Sequence, residues 1–176
     1  MDDPVRREMV ALLPRLRRFA YALTGSLDDG DDLVQATCER AINKLDTWQP
    51  GTRLDSWMFR IAQNLRRNDL RNDRVRGRHL AAVDAADIAD GVGHRAAEAN
   101  LTLDAVRRLM RRLPEEQTAV MMLICVEGYS YREASDTLEI PVGTVMSRLA
   151  RGRTALKSLL DDDPDTATRV PMESDP

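Results

Sequence analysis

Apolar residues in the first part of the chain recur at helical spacing. Val5, Met9, Leu12, Leu16, Phe19 and Leu23 follow one another at alternating intervals of four and three, which is the stripe of an amphipathic helix with one face on a core. Pro14 lies inside this stripe. Proline lacks an N–H and crowds the preceding turn, so a kink or two shorter helices are expected there. Gly25 suits the end of that segment and Ser26 the cap of the next. A second helix over about 29–45 places Val34, Cys38, Ala41 and Leu45 on one face and turns Asp32, Gln35 and Glu39 elsewhere. Trp48-Gln49-Pro50-Gly51 reads as a turn, and Thr52 with Asp55 three residues on has the form of a helix start. The third helix then runs to about Arg71, with Leu54, Trp57, Ile61 and Leu65 inward.

Periodicity fades over about 72–100, where alanine and aspartate dominate and Gly91 and Gly93 appear; this composition predicts a flexible linker. Helical patterning returns from Leu101 with Leu103, Val106, Leu109 and Leu113. Pro114 suits the first position of a further helix, continued by Val120, Leu123 and Val126 to Gly128. After Asp161 the acidic, proline-containing tail predicts disorder. The expected architecture is all-α: two small helical domains over 1–72 and 101–160, a linker over 73–100 and a tail over 161–176.

The stretch 128–160 is the most specific. Ser130 and Glu133 form a capping box, followed by a short helix burying Ala134 and Leu138. Ile140-Pro141-Val142-Gly143 cannot continue that helix. With Thr144 as cap, the next helix turns Val145, Leu149, Gly152 and Leu156 to the core. Ser147, Ala150, Arg151 and Thr154 fall on the opposite face, flanked by Met146 and Arg148. Two short helices with a tight turn, the second bearing small and basic residues outward, predict a DNA-binding helix-turn-helix. Ser147 and Ala150 permit close approach to a groove, Arg151 can donate twice to guanine, and Arg148 and Arg153 suit phosphate.

Net charge qualifies this picture only until it is mapped. The total is −3, yet Arg53, Arg60, Arg66, Arg67, Arg71, Arg74, Arg76 and Arg78 crowd one segment, and Arg148, Arg151, Arg153 and Lys157 another. Electrostatics responds to that arrangement rather than to the mean. With 43% apolar residues in 176, the chain can bury a core. It has no stretch of roughly 18 apolar residues and no basic, apolar leader, so a cytoplasmic protein is expected. Cys38 and Cys125 stand far apart in apolar helical patterns and read as buried thiols. With His79 and His94 isolated as well, neither a metal site nor a cofactor is expected. No phosphate loop or nucleophile elbow appears, so no catalytic residue is expected either.

The run Gly143-Thr144-Val145-Met146-Ser147-Arg148-Leu149-Ala150-Arg151-Gly152-Arg153 closely resembles the last conserved region of extracytoplasmic-function sigma factors, of the sigma-70 family. Leu113-Pro114-Glu115-Glu116-Gln117 resembles the segment upstream of it. Asp31-Asp32-Leu33-Val34-Gln35-Ala36-Thr37 is similar to the family's polymerase-binding helix, and Trp57-Met58-Phe59-Arg60-Ile61-Ala62-Gln63-Asn64 to its −10 recognition helix. The resemblance spans roughly 5–160. It implies an alternative sigma factor that binds core RNA polymerase at the beta-prime clamp helices and the beta flap, and directs it to promoter DNA. An anti-sigma partner is implied as well. Asp32, Gln35 and Glu39 would meet the clamp, although a solvated face looks the same. Arg60, Asn64 and the loop Trp48, Gln49, Gly51, Thr52, Arg53 would meet the −10 element. Trp57 reads as core, whereas Trp48 suits either core packing or base capture. Thr144, Met146, Ser147, Arg148, Ala150, Arg151 and Arg153 would meet the −35 element. Asp84, Asp87 and Asp90 in the linker would imitate a nucleic-acid strand or act as an idle spacer. Cys38, Met146 and Ala150 depart from the family pattern in bulk or polarity. Two rival functions remain: a sigma-like mimic that sequesters an anti-sigma factor, and a free-standing helix-turn-helix regulator.

Overall fold

The computed structural model describes residues 4–75, 110 and 112–161. Among them the chain forms helices and no strand. The first half holds α1 (Pro4–Thr24), α2 (Leu27–Asn43), a 3-10 turn (Leu45–Thr47) and α3 (Leu54–Val75). The second holds α4 (Glu115–Met121), which continues as a π-helical turn (Met122–Val126), then α5 (Tyr131–Leu138) and α6 (Val142–Asp161). The positions Leu103, Val106, Leu109, Asp84, Asp87 and Asp90, and the tail beyond Asp161, lie outside the described residues.

The stripe on α1 buries Met9, Leu16, Phe19 and Leu23. The stripe is not split into two helices at Pro14. The helix runs through it with Pro14 exposed, because buried residues on either side hold one face against α2 and α3, and packing outweighs local propensity. Gly25 ends α1 at φ +74°, and Ser26 caps α2 by accepting from the Asp29 N–H at 3.3 Å. Gly30 lets α1 and α2 approach: a Cβ there would lie 2.0 Å from Tyr21 Cδ1.

On α3 the inward face is rotated from expectation. Leu54 is buried, but Trp57, Ile61 and Leu65 are only half-buried, and Met58, Phe59 and Ala62 supply the core. The Phe59 ring stacks at 4.9 Å on Phe19 and meets Tyr129 edge-on at 6.1 Å. A helix covered on two sides buries a wider arc than a single stripe. The helix also runs to Val75, past the expected end near Arg71 and into the expected linker. Thr52 does not cap it: the Thr52 hydroxyl donates to the Gln49 carbonyl at 2.7 Å, and Asp55 turns to arginines instead.

In the second half Pro114 precedes the helix rather than opening it, and its carbonyl accepts from Gln117 and Thr118. The π-helical turn closes with Glu127 N–H donating to the Met122 carbonyl at 2.9 Å. The extra residue in that turn rotates the side chains that come after it. Val126 is 49% exposed and Cys125 is exposed, so the expected inward valine and buried thiol are both corrected. Cys38 is half-buried, and burial pushes its thiol up.

Candidate nucleic-acid interface

The capping box opens α5 as its sequence requires. Glu133 N–H donates to Ser130 Oγ at 3.2 Å, and Ser130 N–H to Glu133 Oε2 at 2.8 Å. Glu139 ends α5 in the left-handed region at φ 55° and ψ 44°. The turn is held by Ser135, whose hydroxyl donates to the Ile140 carbonyl at 2.5 Å. The next helix starts earlier than expected. Thr144 and Val145 N–H groups both donate to the Pro141 carbonyl, so Thr144 sits inside the first turn of α6 and is not its cap. The Pro141 carbonyl accepts these first helical bonds, so the helix begins ahead of Thr144.

Val145, Leu149 and Gly152 are the buried face of α6. Only a glycine fits at 152 without displacement, since a Cβ would lie 2.7 Å from the Met121 sulfur. Met146, Ser147, Ala150, Arg151, Arg153 and Thr154 are exposed. The Arg151 guanidinium folds back onto Ser147, donating to its carbonyl at 3.2 Å and its hydroxyl at 3.3 Å. Arg148 is half-buried and pairs with Glu116 at 2.5 Å. One helix face thus presents small residues and basic groups to solvent, the shape and charge a DNA groove accepts.

The residues expected at the −10 element divide. Gln49, Gly51, Thr52 and Asn64 are exposed, while Trp48 is half-buried and its Nε1 finds no hydrogen-bond partner among the described residues. Gly51 adopts φ +88°, which supports the turn. Arg53 and Arg60 are engaged by the second half of the chain. Arg53 donates to both oxygens of Asp55 at 3.1 and 2.8 Å, pairs with Glu133 and lies 4.1 Å over the Tyr129 ring. Arg60 meets Glu139 at 3.2 Å. Asp55 also receives Arg15 at 2.9 Å. Burial alone would raise the Asp55 carboxyl, but hydrogen bonds from Arg53, Tyr129 and the Ser56 N–H bring it down to about 2. Burial pushes the Tyr129 hydroxyl up to about 12. Sequence reasoning does not reach Tyr129, Glu133 and Glu139 as partners of the −10 residues. Their sequence separations of about 80 from Arg53 and Arg60 leave no local signal.

The residues expected at the clamp, Asp32, Gln35 and Glu39, are all exposed along α2. Gln35 donates to Glu39 at 3.0 Å. Their neighbour Asp31 turns to the α1 side, taking Tyr21 at 2.8 Å and Arg17 at 3.0 Å; the Tyr21 hydroxyl above all holds its carboxyl below the usual range. Among the described residues no helix is long and apolar enough to cross a membrane.

Comparison with known proteins agrees with this geometry. Residues 9–63 match the family described as the Sigma2 domain of PhyR, and residues 103–156 match Sigma-70, region 4. The ECF RNA polymerase sigma factor EcfG of Rhodopseudomonas palustris is 34% identical over 97% of this chain and 96% of its own length. The sigma factor RpoE of Bartonella quintana, solved with the anti-sigma factor NepR, superposes with a TM-score of 0.76 at 30% identity, over 90% of this chain and 98% of that one. CnrH, solved with the cytosolic domain of CnrY, follows at a TM-score of 0.61 and 26% identity, over 89% of this chain and 87% of that one. The match to a PhyR domain covers only the first half, whereas the likeness to EcfG runs through both halves and the segment between. The chain therefore belongs to the ECF RNA polymerase sigma factors, the alternative sigma factors that direct promoter-specific transcription initiation.

Proposed function

We propose that α6 reads the −35 element with Thr144, Met146, Ser147, Arg148, Ala150, Arg151 and Arg153. Arg151 would take base edges, and Arg148 and Arg153 the phosphates. Trp48, Gln49, Gly51, Thr52, Arg53, Arg60 and Asn64 capture the melted −10 strand, and Asp32, Gln35 and Glu39 meet the polymerase clamp helices. The beta flap would receive the second domain. The division assigns 1–72 and 101–160 to two domains with a linker between them, and α3 carries the first of these on to Val75. The protein performs no catalysis of its own and works in the cytoplasm. An anti-sigma factor is a partner by analogy with RpoE, which was solved with the anti-sigma factor NepR. The observation that carries the reading is the outward face of α6, exposed, small and basic, in a chain similar to a sigma factor along its whole length.

The test is run-off transcription with core polymerase on promoter fragments. The wild-type chain should give discrete start sites. Asp32→Arg with Gln35→Ala should abolish them while duplex binding by the helix-turn-helix persists. Start sites unaffected by that double change would overturn the clamp assignment.

A further inference from the structure

The exposed surface of α6 has two flanks that differ in chemistry. Val142, Met146 and Ala150 follow one another at intervals of four, so they form one row along the helix, roughly 12 Å long. Val142 is 39% exposed and Met146 52%, and Ala150 is exposed as well. Ser147 stands at the centre of the outward face, and Arg151 and Thr144 lie on its other side. That second flank is rich in hydrogen bonds. Arg151 donates to the Ser147 carbonyl and hydroxyl, and the Ser147 hydroxyl donates to the Thr144 carbonyl at 3.1 Å. The first flank offers only hydrocarbon and a thioether.

The core does not account for this row. Val145, Leu149 and Gly152 are the residues that α6 buries, and the row lies off that face. A single apolar side chain in water is ordinary, but a row of three along one exposed helix face suits a contact with a partner. Methionine neither donates nor accepts strongly, and its unbranched thioether adapts to the surface it meets. Against the major groove it gains only from apolar surface. The apolar group that base pairs present there is the C5-methyl of thymine. Over guanine O6, adenine N6 or cytosine N4 the same side chain would strip water and supply no partner, which costs free energy. The row therefore favours one base and opposes the others.

We propose that Met146 and Ala150 read a thymine methyl group within the −35 element. Met146 covers the methyl, and Ala150 is small enough to let the helix approach it. Val142 extends the row toward the turn before α6. On the other flank Arg151 takes a base edge by hydrogen bonds, so α6 joins an apolar reading to a polar one, with Ser147 between them. The inference rests on the assignment of α6 to the −35 element made under Proposed function, and adds to it the chemical group that Met146 selects.

The test uses holoenzyme assembled from the full chain and core polymerase, on a promoter whose start site has been mapped by run-off transcription. Each thymine of the −35 region, on either strand, is replaced singly by 2′-deoxyuridine. That base lacks the methyl and keeps every hydrogen-bonding group. Binding is measured by anisotropy at one fixed salt concentration. With the wild-type chain at least one replacement should weaken binding about two- to fourfold, the loss expected when one methyl-sized group leaves an apolar contact. Met146→Ala should bind the thymine promoter more weakly and be indifferent to that replacement. Met146→Leu keeps the apolar bulk and should keep the sensitivity. Position 146 is exposed, and alanine and leucine are both strong helix formers, so both variants should fold. A −35 region without thymine on either strand, or one in which no replacement matters, overturns the proposal. So does a penalty of equal size in the wild type and in Met146→Ala, which would place the effect in the shape of the DNA. A promoter with its −35 region scrambled separates the two levels. Binding that ignores the scrambling defeats the assignment of α6 beneath the proposal, whereas binding that depends on the −35 sequence but not on any methyl defeats the methyl reading alone.

Discussion

Helices α3 and α6 carry the two sets of residues proposed to meet DNA, and they present them in opposite ways. On α6 the outward face is open: Met146, Ser147, Ala150 and Arg151 are exposed, and Arg151 donates to Ser147 of its own helix. Around the start of α3, Arg53 and Arg60 are held by Asp55, Glu133 and Glu139. The contrast comes from neighbours. Helix α6 packs Val145, Leu149 and Gly152 inward, against α4 and α5, which leaves its opposite face exposed. Helix α3 is covered by α1 and α2 on one side and by the second half on another, so its polar groups find protein partners. One set is open as folded, and the other is covered by protein partners.

The contrast can be broken most severely at Phe59, the ring shared between the first core and the seam. Phe59→Ala should cost about 3–5 kcal/mol, read as a lowered midpoint in urea denaturation followed by circular dichroism. A loss below about 1 kcal/mol, well under the expected range, would mean that the ring does not unite the two regions. A change on the open helix should behave differently. Arg151→Ala should leave stability unchanged and weaken promoter binding by about 1–3 kcal/mol, relaxing selection at one base position. A promoter-library assay with holoenzyme checks this, and retained selectivity would show that Arg151 does not read a base.

The smallest expected effect sharpens the covered side. Asp55 is brought down to about 2 from an unfolded value of about 3.9. Its ionised form therefore favours the folded chain. That contribution is complete above about pH 4 and is lost as pH falls through about 2. Arg53 is itself partly exposed, so the contribution is about 1–2 kcal/mol. Asp55→Asn should flatten the acid limb of stability against pH between those limits. Denaturation midpoints measured across that window give the answer, and an unchanged slope would exclude Asp55 as the acid-sensitive link.

Features encoded by near neighbours were legible in the sequence. The Ser130–Glu133 capping box, the Ser26 cap, the outward set on α6 and the exposed Asp32, Gln35 and Glu39 of α2 all depend on residues a few positions apart. What depended on distant partners was not. A single stripe points to Trp57, Ile61 and Leu65 as the inward face of α3, and it cannot reveal that Phe59 is covered from two directions. Asp55 has the look of half a capping box, yet its partners are Arg15 and Arg53. The π-helical turn shifts Cys125 and Val126 outward against a regular period. Of the candidate DNA residues, the sequence indicates which positions to watch on both helices. It bears no sign that Arg53 and Arg60 meet glutamates of the second half.

The backbone at Glu139 carries a consequence for anyone who would stabilise this protein. A side chain in the left-handed region costs about 1 kcal/mol that glycine does not incur, and Glu139 sits there at φ 55°. A design procedure that scores local conformational comfort would choose glycine at that position and would count the substitution an improvement. It would also delete the carboxylate facing Arg60. Local backbone comfort and the contact with Arg60 are thus set in opposition at a single residue, and a glycine there would relax the backbone by giving up one tie between the two halves.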